Sequence, residues 1–140
     1  MLDEQHLHAT RVDAWLERSA RGLPAALLPR LLELAFGALW AQTVTTLGEV
    51  TLTAIAERVV YRTMEKYPHI GQLDVDAGGL RSAGLDPTAP KLREAIRFVI
   101  LEFLTVMGTL TAGLLTPELH ATLAHVSLPS AARGQREKTS

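Results

Sequence analysis

The longest apolar run in the sequence, from Ala95 to Thr116, limits what this chain can fold into. After Arg97, its only charged residue is Glu102. At about 100° per residue, large apolar side chains fall on one stripe, and others cover most of the opposite side. A helix that is apolar nearly all round is a central core helix, part of an oligomer interface or a membrane span. We expect it to be the dominant helix, around which the other elements are arranged.

Polar residues inside this run argue against a membrane span. Between Phe98 and Thr116 it contains Glu102, four threonines and two glycines. An acidic side chain at the middle of a span costs about 2.5–3.5 kcal/mol on insertion scales. The first 15 residues also lack the basic start and apolar run of a secretory signal. We therefore expect no membrane span, and the absence of cysteine fits a cytoplasmic protein.

Length and composition indicate one globular domain. The 140 residues are 47% hydrophobic and 21% charged, which is enough to bury a core without disulfides. A net charge of -1 argues against a nucleic-acid-binding protein, which would carry a strongly basic face. We expect a helical domain over residues 1–126. Residues 127–140, rich in small and charged residues, are predicted to be a disordered tail.

Capping residues predict the first three helices. The first runs from Asp3 to about Ala20, and the second begins at Pro29, because proline is tolerated in a first turn. Residues 46–49, TLGE, have the spacing of a capping box, which predicts a third helix from position 47 to about Lys66. One long helix with a kink near Gly48 is the alternative.

The stretch over residues 70–88 is predicted to be a short irregular or hairpin arm. Leu73 and Val75 alternate with polar residues there, and an Ala-Gly-Gly sequence that can turn follows them. Asp86 or Thr88 is predicted to cap the dominant helix, which extends over residues 92–115. A last helix begins at the cap-then-proline sequence of residues 116–117. The predicted fold is all-α, a single-domain bundle of about five helices with this arm.

No sequence motif indicates an enzyme, a cofactor or a metal site. His6 and His8 point to different sides of a helix, and His120 and His125 are also a poor pair. We expect the first two histidines to be solvated surface residues. Nucleotide-binding, hydrolase and zinc-protease motifs are missing from the sequence. We therefore predict no catalytic residues, no metal and no cofactor, and the protein is not expected to be an enzyme.

Two carboxylates lie inside apolar helical runs, Glu33 in LLELAF and Glu102 in ILEFL. A buried carboxylate must be paired, hydrogen-bonded or protonated; alternatively, both residues lie at helix edges that face water. With Thr105 and Thr109, one and two turns beyond Glu102, they are candidates for a polar patch in a pocket or a dimer interface. The candidate partners for the carboxylates are Arg30, Arg97 and the histidines.

Small residues suggest where two helices approach closely. Gly108 and Ala112 lie in the dominant helix, and Gly37 and Ala41 lie in the second helix at the same spacing. A glycine inside a helix costs about 1 kcal/mol relative to alanine, so a packing reason is expected. We predict that the two helices cross near Gly37 and Gly108.

Three functions are compatible with these features. Two very apolar helices in a small chain favour a non-catalytic regulatory or protein-interaction domain of bacterial signalling or adaptor type, acting as a homodimer or with another protein. The alternative is a small-molecule-binding bundle with an apolar pocket and a carboxylate anchor, Glu102. The third is an enzyme that assembles Glu33, Glu102 and a histidine from distant positions. For the small-molecule-binding alternative, the side chains predicted to form the walls of the pocket are Phe36, Trp40, Phe103 and Met107.

Overall fold

A computed structural model of the protein describes residues 4–76 and 79–128. In this part of the chain it contains five α-helices, a short 3-10 helix at Ala25–Leu27 and a two-stranded sheet. This is the predicted all-α bundle with a hairpin arm. The elements are α1 (Glu4–Ala20), α2 (Leu28–Leu47), α3 (Glu49–Lys66), β1 (Asp74–Asp76), β2 (Gly79–Arg81), α4 (Leu92–Leu110) and α5 (Thr116–Ala124).

Gly48 separates α2 from α3, so the alternative of one kinked helix is wrong. Its backbone has φ 86° and ψ 156°, a conformation that residues with a Cβ rarely adopt. The Gly48 N–H donates to the Val44 carbonyl at 2.8 Å, and its own carbonyl accepts from the Leu52 N–H at 3.1 Å. The predicted capping box is not formed, because Gly48 takes the cap position and Thr46 remains inside α2.

The arm after α3 is an antiparallel hairpin. Asp74 lies opposite Arg81 and Val75 lies opposite Leu80, while residues 77 and 78 of the predicted turn lie outside the described residues. Leu73 and Leu80 are buried against the helices. An isolated bridge between residues 71 and 85 closes the base of the arm.

The dominant helix, α4, is shorter at its C-terminal end than predicted. Asp86 and Thr88 do not cap it; the Asp86 carboxylate instead accepts hydrogen bonds from the Thr88 N–H and hydroxyl, which lower its pKa. The helix ends at Leu110 and not at position 115. Beyond it, Ala112 and Gly113 have positive φ angles of 54° and 79°, and the Gly113 N–H donates to the Gly108 carbonyl at 2.9 Å.

α4 lies between α1 and α3 and is antiparallel to both. Arg97 pairs with Asp13 of α1, a hydrogen bond that raises the pKa of the arginine. On the other side, the Phe98 ring of α4 packs against Tyr67, directly after α3. The predicted role of this helix as the centre of the core is confirmed by its buried residues. Within the described ranges, no helix is long and apolar enough to cross a membrane. The buried residues of α4 are Leu92, Ala95, Ile96, Val99, Ile100, Phe103, Leu104, Met107 and Gly108.

α5 packs against α1 and closes the bundle. The Trp15 indole N–H donates to the Val126 carbonyl at 3.0 Å, and the Ser19 hydroxyl donates to the same oxygen at 3.2 Å. Leu128 is buried in the core. The packed chain therefore continues to residue 128, past position 127 where the tail was predicted to begin, and residues 129–140 lie outside the described part.

Candidate functional site

The carboxylate of Glu102 is paired across the α3–α4 contact. Its side chain is 15% exposed, and Arg62 Nη1 lies 2.7 Å from Oε2. None of the predicted partners fills this role, because Arg97 is engaged by Asp13 on the opposite side of α4. The arginine neutralises a carboxylate that has little access to water, which is what its place in an apolar run requires.

The threonine row beyond Glu102 does not form a continuous polar patch. The Thr105 hydroxyl donates to the Leu101 carbonyl at 2.8 Å and lies 3.4 Å from the Gln5 side-chain oxygen. Thr109 is exposed near the end of α4. The predicted polar edge therefore consists of local contacts that join α4 to α1 and to α3.

Glu33 attaches the hairpin to α2. Its Oε2 atom accepts hydrogen bonds from the Ser82 backbone N–H at 2.6 Å and from the Ser82 hydroxyl at 2.7 Å. The same hydroxyl lies 2.9 Å from the Pro29 carbonyl. Glu33 also borders a surface cleft of about 270 Å³ with Arg30 and Arg81 on its rim. Its partners differ from those of Glu102, so the two carboxylates belong to separate contacts.

The side chains predicted to form the walls of a pocket are packed in the core. Phe36, Phe103 and Met107 have no exposed surface, and Trp40 is also buried. The ring centroids of Phe36 and Phe103 are 4.8 Å apart, at an interplanar angle of 57°. This tilted aromatic pair is part of the contact between α2 and α4.

The small residues do not make the predicted close approach of two helices at Gly37. A Cβ placed on Gly37 would meet no atom within 4 Å outside the backbone of its own helix. The hairpin lies nearest to this point, since a Cβ on Gly79 would be 3.9 Å from the Gly37 Cα. Ala41 and Ala112 are exposed, and only Gly108 of the predicted set is well buried.

Two histidines that are distant in the chain form a buried pair between α1 and α5. His8 Nδ1 lies 2.9 Å from His120 Nε2, and their rings meet edge to face with centroids 5.1 Å apart. The side chains are only 2% and 7% exposed. The prediction that His8 is a solvated surface residue is therefore wrong. The signal was present in the sequence, because His8 is four residues before Val12 and seven before Trp15, on their inner stripe.

The chemistry of this pair is the sharing of a proton. One ring nitrogen must donate and the other must accept, so the contact requires at least one of the two rings to be neutral. If both rings were cationic, neither would have a nitrogen that can accept, and two positive charges would lie side by side in the core. In the described ranges there is no group of three or more His, Cys, Asp or Glu side chains that could hold a metal ion.

A further feature is a set of large apolar side chains that are exposed at one end of the bundle, which we call the apolar end. It consists of Val50, Leu110 and Leu114, whose exposures are 85%, 56% and 80%. α3 and α4 are antiparallel and are joined by the Arg62–Glu102 pair, so the start of α3 and the end of α4 lie at the same end of the molecule. Leu110 and Leu114 follow the core stripe in sequence but are exposed, because α4 stops at Leu110.

The chain matches no protein-family model, no curated protein and no solved structure.

Proposed function

We propose that this protein is a non-catalytic protein-interaction domain, of signalling or adaptor type, that acts as a homodimer joined through the apolar end. The observation that carries the proposal is the exposure of Val50, Leu110 and Leu114 together. Single exposed apolar residues are normal on a protein surface, whereas a group of large ones at one place marks an interaction site.

The charge distribution around the apolar end supports a second copy of the chain as its partner. Glu49 is the only charged residue between positions 34 and 56, and there is none from position 103 to position 117. A two-fold contact places the same patch on both subunits, so a charged patch would repel its copy. The apolar side chains of Val50, Leu110 and Leu114 are self-complementary without that cost, and Glu49 is the one charge that these two segments place beside them.

A stable interface also needs area around its centre. Specific interfaces bury about 800 Å² on each partner, which is more than three side chains supply. The same segments of the chain carry further exposed, uncharged residues that can form the rim of the contact. These are Thr45, Thr46, Thr51, Ala54, Thr109 and Ala112.

The contacts of the two candidate carboxylates support an interaction role over the alternatives. Glu102 is neutralised by Arg62, and Glu33 accepts two hydrogen bonds from Ser82. A general acid or base, or an anchor for a ligand, needs a carboxylate that can reach its substrate. Each of these carboxylates has a structural partner that accounts for its position.

The proposal is tested by measuring the molar mass with size-exclusion chromatography and light scattering. Wild-type protein at about 100 µM is expected to elute as a dimer. Replacing Val50 and Leu114 together by Lys would place four positive charges in the two-fold contact, and the variant is expected to be monomeric. Tyr61→Lys is the control, because Tyr61 is also 65% exposed on α3 but lies about 16 Å along the helix from Val50.

A monomeric wild type at this concentration would contradict the proposal. A dimer that survives the double substitution would show that the subunits meet elsewhere. If Tyr61→Lys dissociated the dimer equally well, any added charge would be sufficient to dissociate it, whatever its position. Circular dichroism of each variant verifies that the helices remain intact.

We also propose a cytoplasmic location. The absence of cysteine is what supports it, because a chain that folds without disulfides does not need an oxidising compartment. Fractionation of cells that produce the full chain tests this proposal, and recovery in a membrane or exported fraction would contradict it.

A further inference from the structure

The opposite end of the α3–α4 pair carries a cleft with a different chemistry. It has a volume of about 190 Å³ and lies between the end of α3 and the segment that leads into α4. Lys66 and Lys91 stand on its two sides, and its apolar lining includes Tyr67, Pro68 and Pro90. Lys66 is about 24 Å along α3 from Val50, so this cleft is separate from the apolar end.

The charged side chains that line the cleft are of one sign. Lys66 and Lys91 are exposed, and no carboxylate is among the residues that line it. Outside the lining, Glu94 lies beside Lys91, with its oxygen 4.0 Å from the ammonium, at the limit of an ion pair. The Lys66 ammonium lies 5.4 Å from the centroid of the Phe98 ring. Both cations can therefore turn to an anion at the mouth of the cleft.

The walls of the cleft are held in place by backbone hydrogen bonds. The Asp86 N–H donates to the Ile70 carbonyl at 2.8 Å, which joins the segment after α3 to the segment before α4. The Ala89 N–H donates to the Asp86 carbonyl at 3.0 Å, and Thr88 is fixed by the Asp86 carboxylate. Two prolines stiffen the lining further. A site that is formed before the ligand arrives loses little ordering entropy on binding.

From this geometry we propose that the cleft binds a small aromatic carboxylate. A protein cavity of about 150 Å³ holds benzene, so 190 Å³ takes one aromatic ring with a short acidic substituent. The ring would lie on the apolar lining beside Tyr67, and the carboxylate would meet Lys66 and Lys91 at the rim. The inference does not depend on the proposed dimer.

Fluorine NMR with 4-fluorophenylacetate tests the site, and the neutral 4-fluorophenylacetamide is the matched probe. The carboxylate is expected to bind at least fivefold more tightly than the amide. Replacing Lys66 and Lys91 together by Gln is expected to weaken carboxylate binding about tenfold and to leave the amide unchanged. Arg11→Gln combined with Arg58→Gln also removes two positive charges, but from exposed positions outside the cleft. This control is expected to leave the binding of both probes unchanged.

Three results would overturn the inference. The first is equal binding of carboxylate and amide, or no binding of either probe at 10 mM. The second is an equal loss of affinity in the arginine control, which would show only a general effect of net charge. The third comes from the amide chemical shifts of the wild-type protein. On addition of the carboxylate, the largest changes are expected at residues 66–70 and 89–91. Changes centred elsewhere would place the ligand at another site.

Discussion

His8 and His120 are 112 positions apart in the chain, and their ring nitrogens are 2.9 Å apart in the core. This contact joins the first helix of the bundle to the last. It acts together with Trp15 and Ser19, which both donate to the Val126 carbonyl. The last helix is thus attached to the first by a few polar bonds within an apolar surface.

The histidine pair is expected to stabilise the packing of the last helix on the first. His120→Ala removes one partner of the buried hydrogen bond, so a loss of about 1–3 kcal/mol in the free energy of unfolding is expected. Urea unfolding at neutral pH measures this loss.

The control for this prediction is His6→Ala, because His6 is an exposed residue of the same helix as His8. It is expected to change the free energy of unfolding by less than about 0.5 kcal/mol. An equal loss in the two variants, or no loss in His120→Ala, would mean that the buried pair does not hold the two helices together.

Glu33 is expected to contribute to stability through the hairpin. Glu33→Ala removes the acceptor of two hydrogen bonds and leaves the Ser82 N–H without that partner, at a cost of about 2–3 kcal/mol. Ser82→Ala removes only the hydroxyl bonds and is expected to cost about 1 kcal/mol. Urea unfolding measures both, and hydrogen exchange at residues 79–82 is expected to become faster. A Glu33→Ala protein as stable as the wild type would contradict this role.

Gly37 is expected to tolerate a larger side chain. Its position is helical and a Cβ would meet no atom within 4 Å, so Gly37→Ala is expected to raise the free energy of unfolding by about 0.5–1 kcal/mol. Gly71→Ala is the contrasting variant, because its φ is 109° and the Cβ would lie 2.4 Å from the Gly84 carbonyl oxygen. It is expected to destabilise the protein strongly. If Gly37→Ala were also destabilising, the close helix crossing predicted from sequence would be favoured.

Local signals predicted the elements of this fold well. Pro29 and Pro117 lie in first turns as expected, because a missing N–H is harmless there. Gly48 marks a helix boundary, although it acts through its own backbone conformation and not through the capping box around it. The end of α4 was predicted too late, since the apolar pattern continues to Leu115 while Ala112 and Gly113 turn the backbone.

The partners of the polar residues were not predictable from the same signals. Periodicity tells which side of a helix is buried, but not which helix covers it. The choice of Arg62 for Glu102, of Ser82 for Glu33 and of His120 for His8 follows from the packing of elements distant in sequence. The exposure of Leu110 could not be predicted for a similar reason, because it depends on where the helix ends and on what lies beyond that end.

The central claim is that two copies of the chain meet at the apolar end, and site-directed crosslinking tests it most directly. The protein has no cysteine, so a single Leu114→Cys substitution gives one reactive thiol. With a short bismaleimide at low micromolar protein concentration, this variant is expected to give a covalent dimer, and Tyr61→Cys is expected to remain monomeric. Equal crosslinking of the two variants, or none at Leu114→Cys in a protein that light scattering shows to be dimeric, would contradict the claim.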